Sequence, residues 1–203
     1  MDAFLTGLIA GYGIAIPVGA IAILIVEVGI RSGFRPAFVA GAGAATADFL
    51  YAGLAVVGGA ALAETVSSID TPLRIVSGLV LIVIAIVGLR RVGQATEQPD
   101  EATDLTSNGL ARTFARFLGL TIINPTTIVY FAAVIIGLGV ADGLTTTEGI
   151  LFVVGAFLAS LSWQTVVAAI GSLAHHRLSP RTRTVAIVIG NLVILVFAIL
   201  ILI

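Results

Sequence analysis

Six apolar stretches, separated by short segments that hold nearly all the charge, constrain this chain more than any other feature. They run approximately over Phe4–Gly29, Ala37–Leu62, Pro72–Leu89, Arg112–Gly139, Gly149–Ala174 and Thr184–Ile203. A helix needs about 20 apolar residues to cross the hydrocarbon core of a bilayer. Hydrocarbon offers no water to backbone N–H and C=O groups, so a spanning segment of this kind satisfies them internally as a helix. Composition points the same way. The chain has 203 residues, of which 59% are hydrophobic and 10% charged. A soluble domain carries roughly a quarter charged residues, and a chain this short cannot hide so much apolar surface from water. A soluble enzyme is therefore excluded. A nucleic-acid binder is excluded too, because the net charge is −1 and no basic face exists. Cysteine and lysine are both absent. That removes disulfides, thiolate metal sites, thiol redox chemistry, Schiff bases and the phosphate-loop lysine. The first stretch is too long for a secretory signal and follows Asp2 where a basic segment would stand. The expected class is an all-α integral membrane protein. The sixth stretch runs to the last residue, so no regulatory tail is expected.

Arginine placement sets the expected orientation, because cytoplasmic loops carry an excess of basic residues. Arg31 and Arg35 lie between stretches one and two. Arg90, Arg91, Arg112 and Arg116 flank the connection between three and four. Arg177, Arg181 and Arg183 lie between five and six, which leaves only Arg74 on the other side. These three connections should face the cytoplasm, with both termini outside and the protein in the plasma membrane.

The connection from about Val92 to Ala111 is poor in apolar residues and carries Glu97, Asp100, Glu101 and Asp104. It reads as a solvated tether. It divides the chain into a first three-helix unit (residues 1–92), a cytoplasmic linker (93–111) and a second three-helix unit (112–203). An odd number of spans per unit means that the two enter the membrane from opposite sides, the geometry of an inverted repeat. Pro17, in Ala15-Ile16-Pro17-Val18-Gly19, and Pro125, in Ile122-Ile123-Asn124-Pro125-Thr126, stand near the middle of the first and fourth stretches. Proline removes a backbone hydrogen bond and clashes one turn back. Two prolines at matching depth predict paired broken helices around a midplane site, with Gly19, Gly41 and Gly43 as further break or hinge positions.

Asp48 lies about eleven residues into the second stretch, near the bilayer centre. An aspartate there costs roughly 3 kcal/mol on insertion scales. It is expected to face the bundle interior or a watery cavity. A carboxyl that exchanges its proton with both aqueous sides is what proton coupling requires; the alternative is a protonated side chain holding two helices together. Asp48 shares a helical face with Gly41, Ala44, Ala45, Tyr51 and Ala55, and Tyr51 can supply a hydroxyl. Asn124 can bind a zwitterion or cap the broken fourth helix. Trp163, central in its stretch, can line a cavity with Ser160 and Gln164 or pack in the core. Glu27 stands four residues before Arg31, the spacing of an ion pair. Gly7 and Gly11 form a small-residue motif for close helix packing. His175 and His176 have no accompanying acids or cysteines, so neither a metal site nor a cofactor is expected.

Together these residues resemble the lysine exporter (LysE/RhtB-type) family of amino-acid efflux proteins. The likeness covers nearly the whole chain. Its best segment runs from Gly13 to Gly59, with the early proline, the Gly29 and Gly33 turn, the Gly41/Gly43 pair and Ala47-Asp48-Phe49-Leu50-Tyr51-Ala52-Gly53. Asn124-Pro125 and the run through Tyr130 and Phe131 look like the start of that family's second half. Many members read Pro-Gly-Pro at the first break, where this chain has Pro17-Val18-Gly19-Ala20. The resemblance implies six helices in two inverted three-helix repeats and proton-driven export of amino acids or close derivatives. It carries over to Pro17, Gly19, Gly41, Asp48, Asn124 and Pro125.

The expected function is secondary active export of small zwitterions by alternating access, with an amino acid, protons and the lipid bilayer as partners. Broken helix ends near Pro17 and Pro125 would offer backbone amides to a carboxylate, and Asp48 and Asn124 would take the ammonium or the coupling proton. One alternative is a divalent-cation exporter, although hard cations need several oxygen ligands and the spans hold only Asp48 and Glu27 as acids. Another is a non-transporting membrane scaffold. No nucleophile–base pair for an enzyme is visible. The aliphatic third and sixth stretches either face lipid or pair the chain as a homodimer.

Overall fold

The computed structural model describes residues 2–16, 19–94, 106–124, 127, 144–177 and 179–202. All the described regular structure is helical: α1 (Ala3–Ala15), α2 (Ala20–Ser32), α3 (Phe34–Gln94), α4 (Ser107–Ile122), α5 (Thr146–Arg177) and α6 (Pro180–Leu202). Local chemistry sets most helix starts. Asp2 accepts a hydrogen bond from the Phe4 N–H at 3.0 Å, and the Thr106 hydroxyl accepts from Gly109 at 3.3 Å. Thr145 and Glu148 form a reciprocal capping box at α5, with Thr145 N–H donating to Glu148 Oε2 at 2.9 Å and Glu148 N–H to Thr145 Oγ1 at 3.4 Å. Ser179 caps α6, accepting from Thr182 N–H at 3.3 Å, with Pro180 at the first helical position. The N-terminus of α2 differs: Gly19 is its cap, and no side chain bonds there. α2 ends at Gly33, whose φ of 83° is the left-handed value that favours glycine.

The first apolar stretch is broken, as expected. The axes of α1 and α2 differ by 77°, and Pro17 lies outside the described residues. Both pieces pack along α5. A Cβ on Gly7 would meet the Phe152 carbonyl, and one on Gly29 would lie 2.8 Å from the Gly171 backbone. From Phe152 to Gly171 is about 28 Å of helix, close to the thickness of a hydrocarbon core. Backbone approaches this close require residues without side chains, the packing mode of helices in lipid.

The break expected between Leu62 and Pro72 is not a break in helical structure, because α3 runs through it with Pro72 inside. Residues 61–71 contain neither glycine nor proline, so nothing there stops helical turns. The chain nevertheless reverses. Gly88 packs directly on the Asn191 side chain, and Asn191 donates to Glu27, seven residues before Phe34. A straight helix would separate Phe34 from Gly88 by about 80 Å, so α3 folds back between two arms. The first arm runs antiparallel to α5, pairing Gly41 with Gln164 and Val56 with Gly149. The second runs antiparallel to α6, pairing Gly78 with Leu202 and Gly88 with Asn191. α4 lies parallel to the first arm, with Gly43 2.5 Å from the Phe114 carbonyl oxygen, measured from its ideal Cβ position. These registers bring Arg31, Arg35, Arg90, Arg112 and Arg181 to one end of the bundle, as their expected placement on one side requires.

Among the described residues, Phe34–Gly58 and Thr146–His175 are each long and apolar enough to cross a membrane, and the bent α1–α2 pair makes a third candidate. Gly78–Arg90 and Thr184–Leu200 are shorter apolar helices. Leu79, Val83 and Ile86 on α3 and Val185, Ile189, Leu192 and Val196 on α6 are exposed, an outer surface suited to lipid. The interior is built from small residues. One cluster joins Ala37, Ala40, Ala44, Ile25, Phe117, Val167 and Ile194; the other joins Ala10, Ile14, Ala52, Ala55, Phe152 and Ala156.

Close packing of α2 on α5 predicts that Gly171→Val, whose side chain would meet the Val26 carbonyl oxygen 2.6 Å from the new Cβ, lowers stability by about 1–3 kcal/mol. Gly53→Ala, which opens into free space, should be neutral or slightly stabilising. Thermal unfolding in detergent micelles compares the two.

Candidate functional site

The centre of the bundle holds a buried polar pair. Asp48, on the first arm of α3, is 4% exposed, and Ser160, on α5, is fully buried. The Ser160 hydroxyl donates to Asp48 Oδ2 at 2.6 Å. Ser160 stands midway along the apolar stretch Thr146–His175. A carboxyl oxygen receiving a short hydroxyl bond in an apolar interior is costly to leave unpaired.

Three helix ends approach this pair. α1 runs beside α5 with Gly11 against Ala156 and Ala159; its end at Ala15 therefore falls level with Ser160. α2 begins at Ala20, four residues beyond Ile16. α4 ends at Ile122, two residues before Asn124, because a residue preceding proline, as Asn124 is, is driven out of helical geometry. The Tyr51 hydroxyl, one turn from Asp48, donates to the Ile122 carbonyl oxygen, and so satisfies one of the last carbonyls that a helix terminus leaves open. Asn124 is half-buried there, its N–H donating to Thr121 O at 3.2 Å. The local charge pattern follows. The C-termini of α1 and α4 bring partial negative charge, and the N-terminus of α2 brings partial positive charge.

Gln164 lies one turn from Ser160 on α5 and is 6% exposed. Among the described residues, neither its Oε1 nor the Nε1 of neighbouring Trp163 has a hydrogen-bond partner. Trp163 packs against the core cluster that includes Ala20, Ile21 and Ala22, the first turn of α2. Gly41 and Gly43, expected as break or hinge positions, lie within unbroken turns of α3. They serve as contact points instead: a Cβ on Gly41 would be 2.9 Å from Gln164 Cβ. Gly19 does stand at the α1–α2 break. Pro125, Tyr130 and Phe131 lie outside the described residues.

A second polar network, away from Asp48, ties the arginine end together. Glu27 Oε1 pairs with Arg31 Nη2 at 2.9 Å, as the spacing predicted. Glu27 Oε2 also accepts from Asn191 Nδ2 at 3.1 Å, and His175 Nδ1 is 2.7 Å from the Ile30 carbonyl oxygen. Sequence reasoning missed Asn191, which is fully buried; a lone asparagine in an aliphatic helix was the available signal. It also missed Tyr12, whose hydroxyl donates to Ser162 Oγ at 2.8 Å while Ser162 donates to the Ala159 carbonyl.

A family model described as LysE type translocator matches residues 13–203. The chain belongs to that family. Among curated proteins, it is 29% identical over 185 residues to the chemotactic transduction protein ChpE of Pseudomonas aeruginosa, covering 87% of this chain and 89% of that protein. It is 30% identical over 181 residues to the uncharacterized membrane protein YahN of Escherichia coli, covering 89% of this chain and 80% of that one. No solved structure matches. As a LysE-family member, the chain is a membrane translocator.

If the Ser160 hydroxyl holds Asp48, Ser160→Ala should cost about 1 kcal/mol of stability. The check is a lower unfolding midpoint in micelles; an unchanged midpoint would show that the bond contributes nothing.

Proposed function

We propose that this translocator is a secondary active exporter of amino acids or closely related small zwitterions, coupled to protons and working by alternating access. The observation that carries the reading is Asp48, buried at the middle of the bundle on Ser160, where three helices end. A zwitterion has an ammonium and a carboxylate a few ångströms apart. Asp48 and the carbonyl ends of α1 and α4 favour the ammonium, while the N-terminus of α2, where no side chain bonds, and the Trp163 N–H, without a partner among the described residues, favour the carboxylate. Asp48 is also the group for a coupling proton, because an ammonium and a proton compete for one carboxyl. The two units, residues 1–92 and 112–203, are proposed to be inverted repeats that rock about this site. The arginine end faces the cytoplasm of a plasma-membrane protein with both termini outside.

The divalent-cation alternative is less well supported. Glu27, the other acid of the spans, is engaged by Arg31 and Asn191 and does not join Asp48. The scaffold alternative draws on one observation, the likeness to ChpE, a chemotactic transduction protein. It predicts that Asp48 substitutions change abundance or association and that no solute moves.

The test is efflux of a labelled amino-acid panel from proteoliposomes, with and without an imposed pH gradient. Gradient-driven flux of one or a few members is expected, and Asp48→Asn should abolish the response to the gradient. Folded protein that moves none of them, or an Asp48→Asn variant that responds normally, would falsify the reading.

A further inference from the structure

The outward side of α4 is unlike the lipid-suited surface of α6. Its exposed positions include Asn108, Arg112, Ala115, Arg116 and Gly119, and Ile122 is its one exposed large apolar residue. Arg112 and Arg116 stand one turn apart on one face, where like charges repel each other. Depth makes this face costly in lipid. α4 runs parallel to the first arm of α3, and an ideal Cβ on Gly43 would touch both Phe114 O and Leu118 N, so Arg116 is level with Gly43. From Gly43 to Asp48 is five residues, about 8 Å of helix rise. Half of a hydrocarbon core is about 15 Å thick, so Arg116 lies inside it. An arginine at that depth faces the bundle interior or a water-filled cavity, not lipid. There is open space beside it: a Cβ on Gly119 would meet no atom within 4 Å. The stripe ends at Ile122, whose carbonyl oxygen accepts from Tyr51, one turn from Asp48.

We propose that this stripe lines a water-filled vestibule leading from the arginine end to Asp48, and that Arg116 binds the carboxylate of the solute as it enters. The identity of the occupant rests on the transport reading above; the vestibule and its preference for anions do not. A guanidinium presents paired N–H donors that match a carboxylate. Arg112, one turn nearer the arginine end, adds a second positive charge that draws anions inward. With its carboxylate held at Arg116, a zwitterion points its ammonium onward to Asp48, and the N-terminus of α2 then takes the carboxylate over.

The chain lacks cysteine, so single thiols report on the vestibule in the full-length protein, in sealed vesicles of known orientation and without substrate. Ala115→Cys and Gly119→Cys should react with membrane-impermeant reagents applied at the arginine end. Val196→Cys, on the exposed aliphatic face of α6, should not. At Ala115→Cys a sulfonate reagent should outpace a trimethylammonium reagent by about threefold or more, once each rate is divided by that with a free thiol in solution. Adding Arg116→Gln should remove this preference, and Arg116→Lys should keep it. In proteoliposomes, Arg116→Gln should raise KM for the amino acid carried by about threefold or more with a smaller change in kcat, and Arg116→Lys should restore it. Ala115→Cys and Gly119→Cys variants as unreactive as Val196→Cys overturn the vestibule and leave the transport reading intact. A charge preference that survives Arg116→Gln, or an unchanged KM, overturns the role of Arg116. A wild type that moves no amino acid while the thiols react as expected overturns the transport reading, and the solute carboxylate with it, but upholds the anion-selective vestibule.

Discussion

Hydrocarbon cannot solvate a backbone N–H or C=O, and this constraint governs where the chain can stop being helical. A helix end at mid-membrane depth leaves open carbonyls or amides that must find partners within the protein. Here the ends of α1 and α4 and the start of α2 fall around one buried carboxyl. Tyr51 bonds the Ile122 carbonyl at the end of α4, and Ser160 bonds Asp48. The polar groups of the bundle centre are thus gathered at one depth. The rest of the packing makes that arrangement tolerable. Glycines at positions 7, 29, 43 and 171 let whole helices approach backbone to backbone, so dispersion contacts hold the bundle where the hydrophobic effect gives little.

The two ends of the bundle differ in kind. At one end, arginines, the Glu27–Arg31 pair, Asn191 and His175 tie α2 to α5 and α6. Among the described residues the centre holds one acid, Asp48, with groups on its rim that accept or donate but carry no formal charge. A site built this way suits a solute that brings both of its own charges, and it leaves one titratable group to report the proton gradient. That separation is the physical basis for proposing Asp48 as the group that binds solute and proton, while the Glu27 network holds α2 and α6 together.

Much of this was legible from residues. A lone aspartate in an apolar stretch marks its own importance, because its insertion cost requires a partner or water. Pro17 and Pro125 located helix breaks that α1, α2 and α4 respect at their described ends. The four-residue spacing of Glu27 and Arg31 gave the ion pair. What could not be read were contacts between distant segments. Nothing in the local sequence pairs Asp48 with Ser160 rather than Ser162, because both serines lie near the same depth and only the rotation of α5 decides. Asn191 joins Glu27 across 164 residues. Gly41 and Gly43 looked like flexibility and proved to be contact points, since glycine reads alike in both roles until a neighbour is placed beside it. The helical continuity of α3 does not follow from apolar stretches that end at Leu62 and resume at Pro72, although no residue between them interrupts helical turns.

The central claim is that the Asp48–Ser160 pair lies on a pathway that opens to each side of the membrane in turn. The chain has no cysteine, so Ser160→Cys introduces a single reporter. The most direct measurement is its modification by a membrane-impermeant thiol reagent, applied from one side and then the other of sealed vesicles during transport. Reaction from both sides, slowed by saturating substrate, is the predicted result. A cysteine that reacts from neither side while solute is moving, or from one side only, would place the pair in a packed core or a one-sided cavity and contradict the account.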